Sequence, residues 1–491
     1  MRWNVKRMIL TGCGLLLAAA GPTRAAGPEL PVVQSRDFAT MAARLAVGAR
    51  LRLENVQVAD AEEPRTLVLE RFEVFAEDAV ITVHGDAGDR VLPAPANAYF
   101  RGTVDGSPGS RVFLARLEDG RFQGVVSEEG AIFLIGGDDA TVKALGDPLA
   151  LHRVDPALLK SSRSGLFNCG DAQLPASPGT GPVPDFTAFA TAPLEKAIAV
   201  HTGRIAIETD FEFYQLFNTP ANPNAAINAT AYVGNLVGYA STIYAAELGT
   251  SLAVQSLSLW QTSSDPWTQT NTLCSLFEFG KYWNQNRTGV SRTTAHFLSG
   301  KATGGGVAWL NALCHGSFFS GGAASCPGLG AESTPWGGDY GYTGNLFGGF
   351  SINSPSVVWD IYAFSHELGH NFGSPHTHCY AGIGGNASPI DQCYGSESGC
   401  YSGATSTPGP AGTGSGTIMS YCHLRSGGYG NITLTFGTGF GFGVQPAREA
   451  AQMNGYIASV AAGNPSCIAP VAASNVLLND GFESGTKASW Q

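Results

Sequence analysis

Residues 356–378 read Ser-Val-Val-Trp-Asp-Ile-Tyr-Ala-Phe-Ser-His-Glu-Leu-Gly-His-Asn-Phe-Gly-Ser-Pro-His-Thr-His and fill every fixed position of H-E-x-x-H-x-x-G-x-x-H. His366 and His370 are four apart, so on a helix their imidazoles lie one turn apart on the same face and can hold one metal ion. Glu367 follows the first of them and sets a carboxylate beside that ion. Gly373 marks the helix end, where a turn with φ > 0 needs a residue without Cβ. The chain then turns back and brings His376 in as a third ligand. Three neutral nitrogens suit a borderline-soft ion such as Zn²⁺ and leave its fourth position to water, whose pKa falls toward neutrality there. Glu367 would take that water's proton and pass it on to a leaving amine. A bare H-E-x-x-H also describes an ordinary amphipathic helix with surface or core histidines. The added glycine and third histidine make coincidence the poorer account.

The extended motif resembles that of the metzincin clan of zinc endopeptidases, whose pattern includes a downstream methionine turn. Gly416-Thr417-Ile418-Met419-Ser420-Tyr421-Cys422 looks like that turn. The resemblance places Met419 beneath the three imidazoles as a hydrophobic floor. Tyr421, two residues on, has the spacing that in some clan members puts a phenol near zinc. There it could stabilise an oxyanion, with core packing as the alternative. In animal adamalysin-like enzymes aspartate usually follows the third histidine, whereas here Thr377 does, so the bacterial reprolysin-like (M12B-type) branch is the better match. Next comes His378, which reads as a solvent-facing loop residue, with a spare ligand or substrate contact as the other roles open to it.

The chain has 491 residues, enough for two domains and an export signal. Its net charge of -11 and its pI near 5.4, with no cluster of lysine and arginine, exclude a nucleic-acid partner. Residues 1–26 carry Lys6 and Arg7 ahead of an apolar run from Met8 to Ala20, then the small residues of a cleavage site. This reads as a secretory signal, so the protein is expected outside the cell, or in the periplasm in transit. The run is too short to span a bilayer and no later stretch is long enough, so no stable membrane anchor is expected. Leu10-Thr11-Gly12-Cys13 superficially matches a lipoprotein box, but most of the apolar run follows Cys13.

Ten cysteines are present. Setting aside Cys13 and Cys169, the remainder (Cys274, Cys314, Cys326, Cys379, Cys393, Cys400, Cys422 and Cys467) is even in number and suited to disulfides in an oxidising compartment, their pairing left open.

Residues 27–170 alternate apolar and polar positions, as in Thr66–Phe75 and Ala79–His84, and read as mostly β. This unit resembles the propeptide of reprolysin-type enzymes, with a permanently attached β-sandwich module as the alternative. Asn168-Cys169-Gly170 closes it and looks like the cysteine switch of related zymogens, in which a thiolate takes the fourth zinc position. A thiol paired elsewhere, or simply free, is the other reading. Residues 171–195, rich in Pro and Gly, read as a mobile, proteolytically exposed linker.

From 196 to 467 strands and helices alternate. Strands are predicted at 197–200, 204–209, 251–260, 294–298 and 306–314, and helices at 225–247, 273–286 and 448–460. The helix from Ala225 is read with Ile227, Ala231, Leu236, Tyr239, Ile243 and Leu248 broadly on its core side. Residues 315–355 read as loops lining the cleft, and 379–415 as a long Gly-, Ser- and Pro-rich loop leading to the methionine turn. The order resembles an α/β metzincin catalytic domain: a mixed twisted sheet with long helices, a zinc cleft and a small C-terminal subdomain. In that family the strand at 306–314 borders the cleft and would hold an extended substrate by strand addition. The tail, residues 468–491, has no assigned role.

The implied function is that of a secreted zinc endopeptidase, made as a zymogen, acting as a monomer on protein or peptide substrates. It would use one catalytic Zn²⁺ held by His366, His370 and His376, with Glu367 as the proton shuttle. A structural Ca²⁺ is not indicated. The rival readings are a non-proteolytic, zinc-stabilised binding or adhesion protein, and a peptidase specific to one partner protein.

Overall fold

A computed structural model describes residues 30–59, 63–136, 149–159, 169, 183–189, 200–219, 224–319, 326–329, 336–438 and 448–470. The expected signal at 1–26, most of the expected linker, the predicted strand residues 197–199 and the tail from 471 lie outside the described residues.

The N-terminal region comprises β1 (Val32–Gln34), α1 (Ser35–Met41), β2 (Arg50–Val58), β3 (Arg65–Phe72), β4 (Phe75–Gly85), β5 (Gly88–Leu92), β6 (Ala98–Val104), β7 (Ser107–Arg116), β8 (Phe122–Glu128), β9 (Ala131–Gly136) and β10 (Ala150–Arg153). Eight of its strands run in the order β1-β2-β10-β9-β8-β7-β6-β3, and β3 pairs back onto β2, closing a barrel rather than a sandwich. Inward residues of alternate positions, among them Leu51, Leu53, Leu67, Leu69, Val112 and Leu114, fill the barrel, and Phe38 of α1 plugs it against Phe100 and Phe122. Closure removes the sheet edges that an open β unit would expose.

The second region contains β11 (His201–Thr209), α2 (Phe211–Gln215), α3 (Ala225–Leu248), β12 (Thr250–Trp260), α4 (Thr272–Asn286), β13 (Thr294–Leu298), β14 (Gly306–Ala308), β15 (Tyr340–Thr343), α5 (Val357–Asn371), α6 (Arg448–Gly463) and β16 (Ile468–Pro470). Its sheet runs β14-β15-β13-β11-β12-β4-β5, with β16 antiparallel to the start of β11. The β11, β12, β13 and β15 neighbours pair in parallel, as crossover helices demand, while β14 closes the cleft edge antiparallel to β15. Alternation along β11 divides the core: Ile205 and Ile207 join α3 and α5, whereas Ala206 faces α4, Trp267 and Trp309.

Several expectations are corrected. The β4–β5 hairpin, read as part of a separate N-terminal unit, pairs in parallel with β12 (Ser256↔Val80 through Trp260↔His84) and so extends the second sheet. The strand predicted at 306–314 ends at Ala308, since Asn311 and Cys314 take positive φ, and β15 arises within 315–355, where the composition predicts only loop. Residues 468–470 form a strand instead of a tail. Linker residues 183–189 are docked on α6: Gln452 donates to Pro184 O and accepts from the Phe186 N–H, and Phe186 packs on Tyr456.

Helix α3 departs most from the one-sided pattern. Nearly all of it is buried, yet Ile227, assigned to its core side, is 46% exposed. The barrel's outer face covers the side expected to meet solvent. A Cβ on Gly234 would lie 2.5 Å from the Tyr99 hydroxyl, and one on Gly238 would lie 2.4 Å from the Phe113 ring. Glycine at these two positions lets the barrel approach the helix backbone. Strands β7 and β8 are correspondingly buried on both faces, which obscures the alternation of a half-buried strand.

The eight cysteines from Cys274 onward pair as Cys274–Cys326, Cys314–Cys467, Cys379–Cys400 and Cys393–Cys422, which fits an oxidising compartment. Cys169 is a buried thiol that takes part in none of these four disulfides. Among the described residues no helix is long and apolar enough to cross a membrane.

Candidate metal centre

Helix α5 carries the first two histidines. Near its start the buried Asp360 accepts hydrogen bonds from the N–H groups of Phe347 and Gly348 and from the Tyr232 hydroxyl, tying the helix to its preceding loop and to α3. Burial pushes the Asp360 carboxyl up to about 6 against the pull of these hydrogen bonds. At the other end Gly373 takes φ 98°, and its N–H donates to His370 O while the Ser374 N–H donates to Gly369 O. These bonds satisfy end carbonyls and turn the chain toward His376. A Cβ on Gly373 would also meet Tyr456 of α6 at 2.8 Å.

The three imidazoles converge. His366 Nε2 lies 3.2 Å from both His370 Nε2 and His376 Nε2, and all three residues are fully buried. Their other nitrogens are committed: His366 Nδ1 donates to Ile418 O (2.7 Å), His370 Nδ1 to Ser374 O (2.8 Å) and His376 Nδ1 to Glu397 Oε2 (2.8 Å). Each ring therefore carries its proton on Nδ1 and turns an Nε2 lone pair to the common point. Three lone pairs facing one another have no proton to share, and a cation is what resolves them. Nitrogens each 2.0–2.1 Å from a tetrahedral ion stand about 3.3 Å apart, so the donor set fits Zn²⁺. Burial, with added repulsion from the neighbouring imidazoles, holds His366 far below its usual pKa, and burial first and His376 second bring His370 to about 3. Both are neutral at physiological pH, as ligands must be.

Glu367 lies against the cleft edge: a Cβ on Gly306 of β14 would come within 2.4 Å of its side chain. Met419 is fully buried, with its sulfur so close to Gly369 that a Cβ there would approach it to 2.4 Å. Its carbonyl accepts from the Thr377 N–H, so Thr377 is tied to the backbone of the methionine turn. The Tyr421 ring sits 4.4 Å from that of His376, and its hydroxyl accepts from the Cys169 N–H (3.1 Å) and donates to Cys169 O (3.3 Å). Cys169 Sγ lies 3.4 Å from His370 Nε2 and 3.4 Å from Glu367 Oε2, and it groups with the three histidines as a potential fourth donor.

His378 is not solvent-facing. It is fully buried, stacked on His376 at 5.3 Å, and donates from Nε2 to Glu397 Oε2 at 2.7 Å. Glu397 was not singled out in the sequence; its one signal there is that it and Asp391 are the only carboxylates in the loop 379–415. Burial works to raise its carboxyl, but the two imidazoles hold it well below the usual range.

A buried three-histidine centre on an H-E-x-x-H helix, beneath a sheet edge in an α/β domain, is the arrangement of a metallopeptidase. The family comparison agrees: residues 201–432 match the family model Reprolysin_5, metallo-peptidase family M12. No curated protein matches the chain. Among solved structures, metalloproteinase-II from Bacteroides fragilis is similar over 71% of this chain and 90% of its own, at 11% identity and a TM-score of 0.32.

Proposed function

We propose that this chain is a secreted zinc endopeptidase of the metzincin type, made in a latent form in which the N-terminal barrel is the propeptide and Cys169 blocks the centre. The observation that carries this reading is the convergence of three Nε2 lone pairs with the Cys169 sulfur, 3.4 Å from both His370 Nε2 and Glu367 Oε2. Zinc, when bound, would supply a Lewis acid that polarises the scissile carbonyl and acidifies water. The chain's own residues supply the rest. The edge of β14, beside Glu367, would receive the substrate backbone as an added strand. Glu367 would accept the proton of the attacking water and deliver it to the departing amine. Once Cys169 has withdrawn, the Tyr421 hydroxyl would be released to donate to the developing oxyanion.

The test is hydrolysis of a denatured general protein by the intact chain, by the chain cut in the linker and freed of its barrel, and by the freed Glu367→Gln variant. Hydrolysis confined to the freed parent and abolished by chelation is the expected result. Equal activity in Glu367→Gln would sink the mechanism.

One observation favours a second reading: with Cys169 the centre has four protein donors, and closed four-donor sites are characteristic of structural zinc. A freed, zinc-loaded protein that hydrolyses nothing would favour this non-proteolytic role or a single protein substrate.

A further inference from the structure

The three histidines are not held alike. His366 and His370 give their Nδ1 protons to backbone carbonyls, Ile418 O and Ser374 O, which no side-chain change can remove. His376, which arrives from outside the helix, gives its proton to a side chain, Glu397 Oε2 at 2.8 Å. Glu397 is itself held. His378 Nε2 donates to the same oxygen at 2.7 Å, and the His378 ring lies parallel to that of His376, 10° between their planes. Tyr394 and Tyr421 pack against His378, and the Tyr401 N–H donates to its carbonyl. Disulfides bracket the carboxylate on both sides in the chain: Cys393 bonds Cys422 beside the methionine turn, and Cys400 bonds Cys379. These residues do not form a second metal site, because Cys379 is in a disulfide and the carboxylate is engaged by both imidazoles.

We propose that Glu397 is the positioning residue of the metal centre: clamped by His378 and two disulfides, it fixes the tautomer and ring orientation of His376 and thereby sets the zinc affinity of the site. A carboxylate on the far nitrogen of a ligating imidazole raises the basicity of the near one and removes the ring's rotational freedom. The role rests on the zinc reading above, and the experiment separates the two.

Zinc affinity is measured on the full-length chain by competition with a chromophoric chelator, for the parent, Glu397→Ala, Glu397→Gln and His366→Ala. Glu397→Ala should bind zinc about 10- to 100-fold more weakly. Glu397→Gln, which keeps an acceptor but loses the charge, should fall between it and the parent and shift the absorption bands of the cobalt-substituted protein. Thermal melting of the metal-free proteins checks folding, and should Glu397→Ala prove unfolded, Glu397→Gln decides. Affinities of both Glu397 variants within twofold of the parent, while His366→Ala loses zinc, would overturn the positioning role alone. Parent-like zinc binding by His366→Ala would instead overturn the metal centre itself.

Discussion

Under the proposed function Tyr421 would serve two states of one site. Its hydroxyl holds both backbone polar groups of Cys169, and net contributions of about 0.5–1.5 kcal/mol per hydrogen bond would make this a real part of the proposed latch. Tyr421→Phe should therefore raise the residual activity of the intact chain. If the phenol also supports the oxyanion, the same change should lower kcat of the freed enzyme by roughly 10²-fold. Assaying both forms side by side separates the roles, and an unchanged kcat would leave Tyr421 with the latch alone. His296 offers a residue-scale check on burial. Its Nε2 meets Thr343 Oγ1 at 2.7 Å, and burial lowers its pKa from 6.5 to about 3. Between those values the unfolded chain binds a proton that the folded chain refuses, so this residue's contribution is lost as pH falls through that window. Glu208 and Asp210, raised to about 7 by burial, act oppositely, their contribution fading as pH rises toward 7. Comparison with His296→Gln cancels them. The parent should lose on the order of 1–3 kcal/mol more than the variant between pH 8 and pH 4, by urea unfolding. The three converging histidines and Glu367 were legible at this scale because spacing along one helix and its return turn defines them. Glu397 was not, since it reaches His376 from a loop whose path depends on two disulfides.

Helix α3 shows what sequence periodicity omits. A stripe reading presumes one packed face and one wet face, whereas this helix lies between the sheet and the barrel, with Phe75, Tyr99 and Phe113 on the side left to solvent. Its glycines carry the consequence. Gly238→Ala would raise intrinsic helix propensity by about 1 kcal/mol. The added methyl would nonetheless drive into the Phe113 ring, 2.4 Å away, and such overpacking costs about 1–3 kcal/mol. Denaturant unfolding of the intact chain should show net destabilisation, and Phe113→Leu in the same chain should relieve part of it. A plain gain in stability would mean the barrel does not press on α3 as described.

Across the whole molecule, the N-terminal region and the peptidase-like region share one hydrophobic core, a sheet joined through the β4–β5 hairpin, and a buried ion pair. Arg111 of β7 meets Glu247 of α3 at 3.4 Å, and Glu247 also accepts from Thr435 and the Phe436 and Thr438 N–H groups beyond the methionine turn. Removing one partner of a buried pair costs about 3–5 kcal/mol, so Arg111→Met should weaken the attachment of the barrel sharply. Cutting the linker, by contrast, breaks none of these contacts. The two fragments should co-elute in size-exclusion chromatography after cleavage and separate only in denaturant or after further proteolysis of the barrel. Separation on a single cut would show the shared core to be weaker than its burial implies. The sequence alone determined what is local: the zinc helix with its glycine turn, the even set of cysteines from Cys274 onward, and most strands and helices of the second region. Spacing, turn chemistry and periodicity act within a few residues, and that range was enough. Tertiary structure alone decided which cysteines pair, that the β4–β5 hairpin extends the second sheet, that His378 is buried, and that Glu397 rather than a neighbour in the motif holds the third histidine. Each of these depends on contacts between segments distant in the chain, and no local pattern encodes which distant segment will arrive.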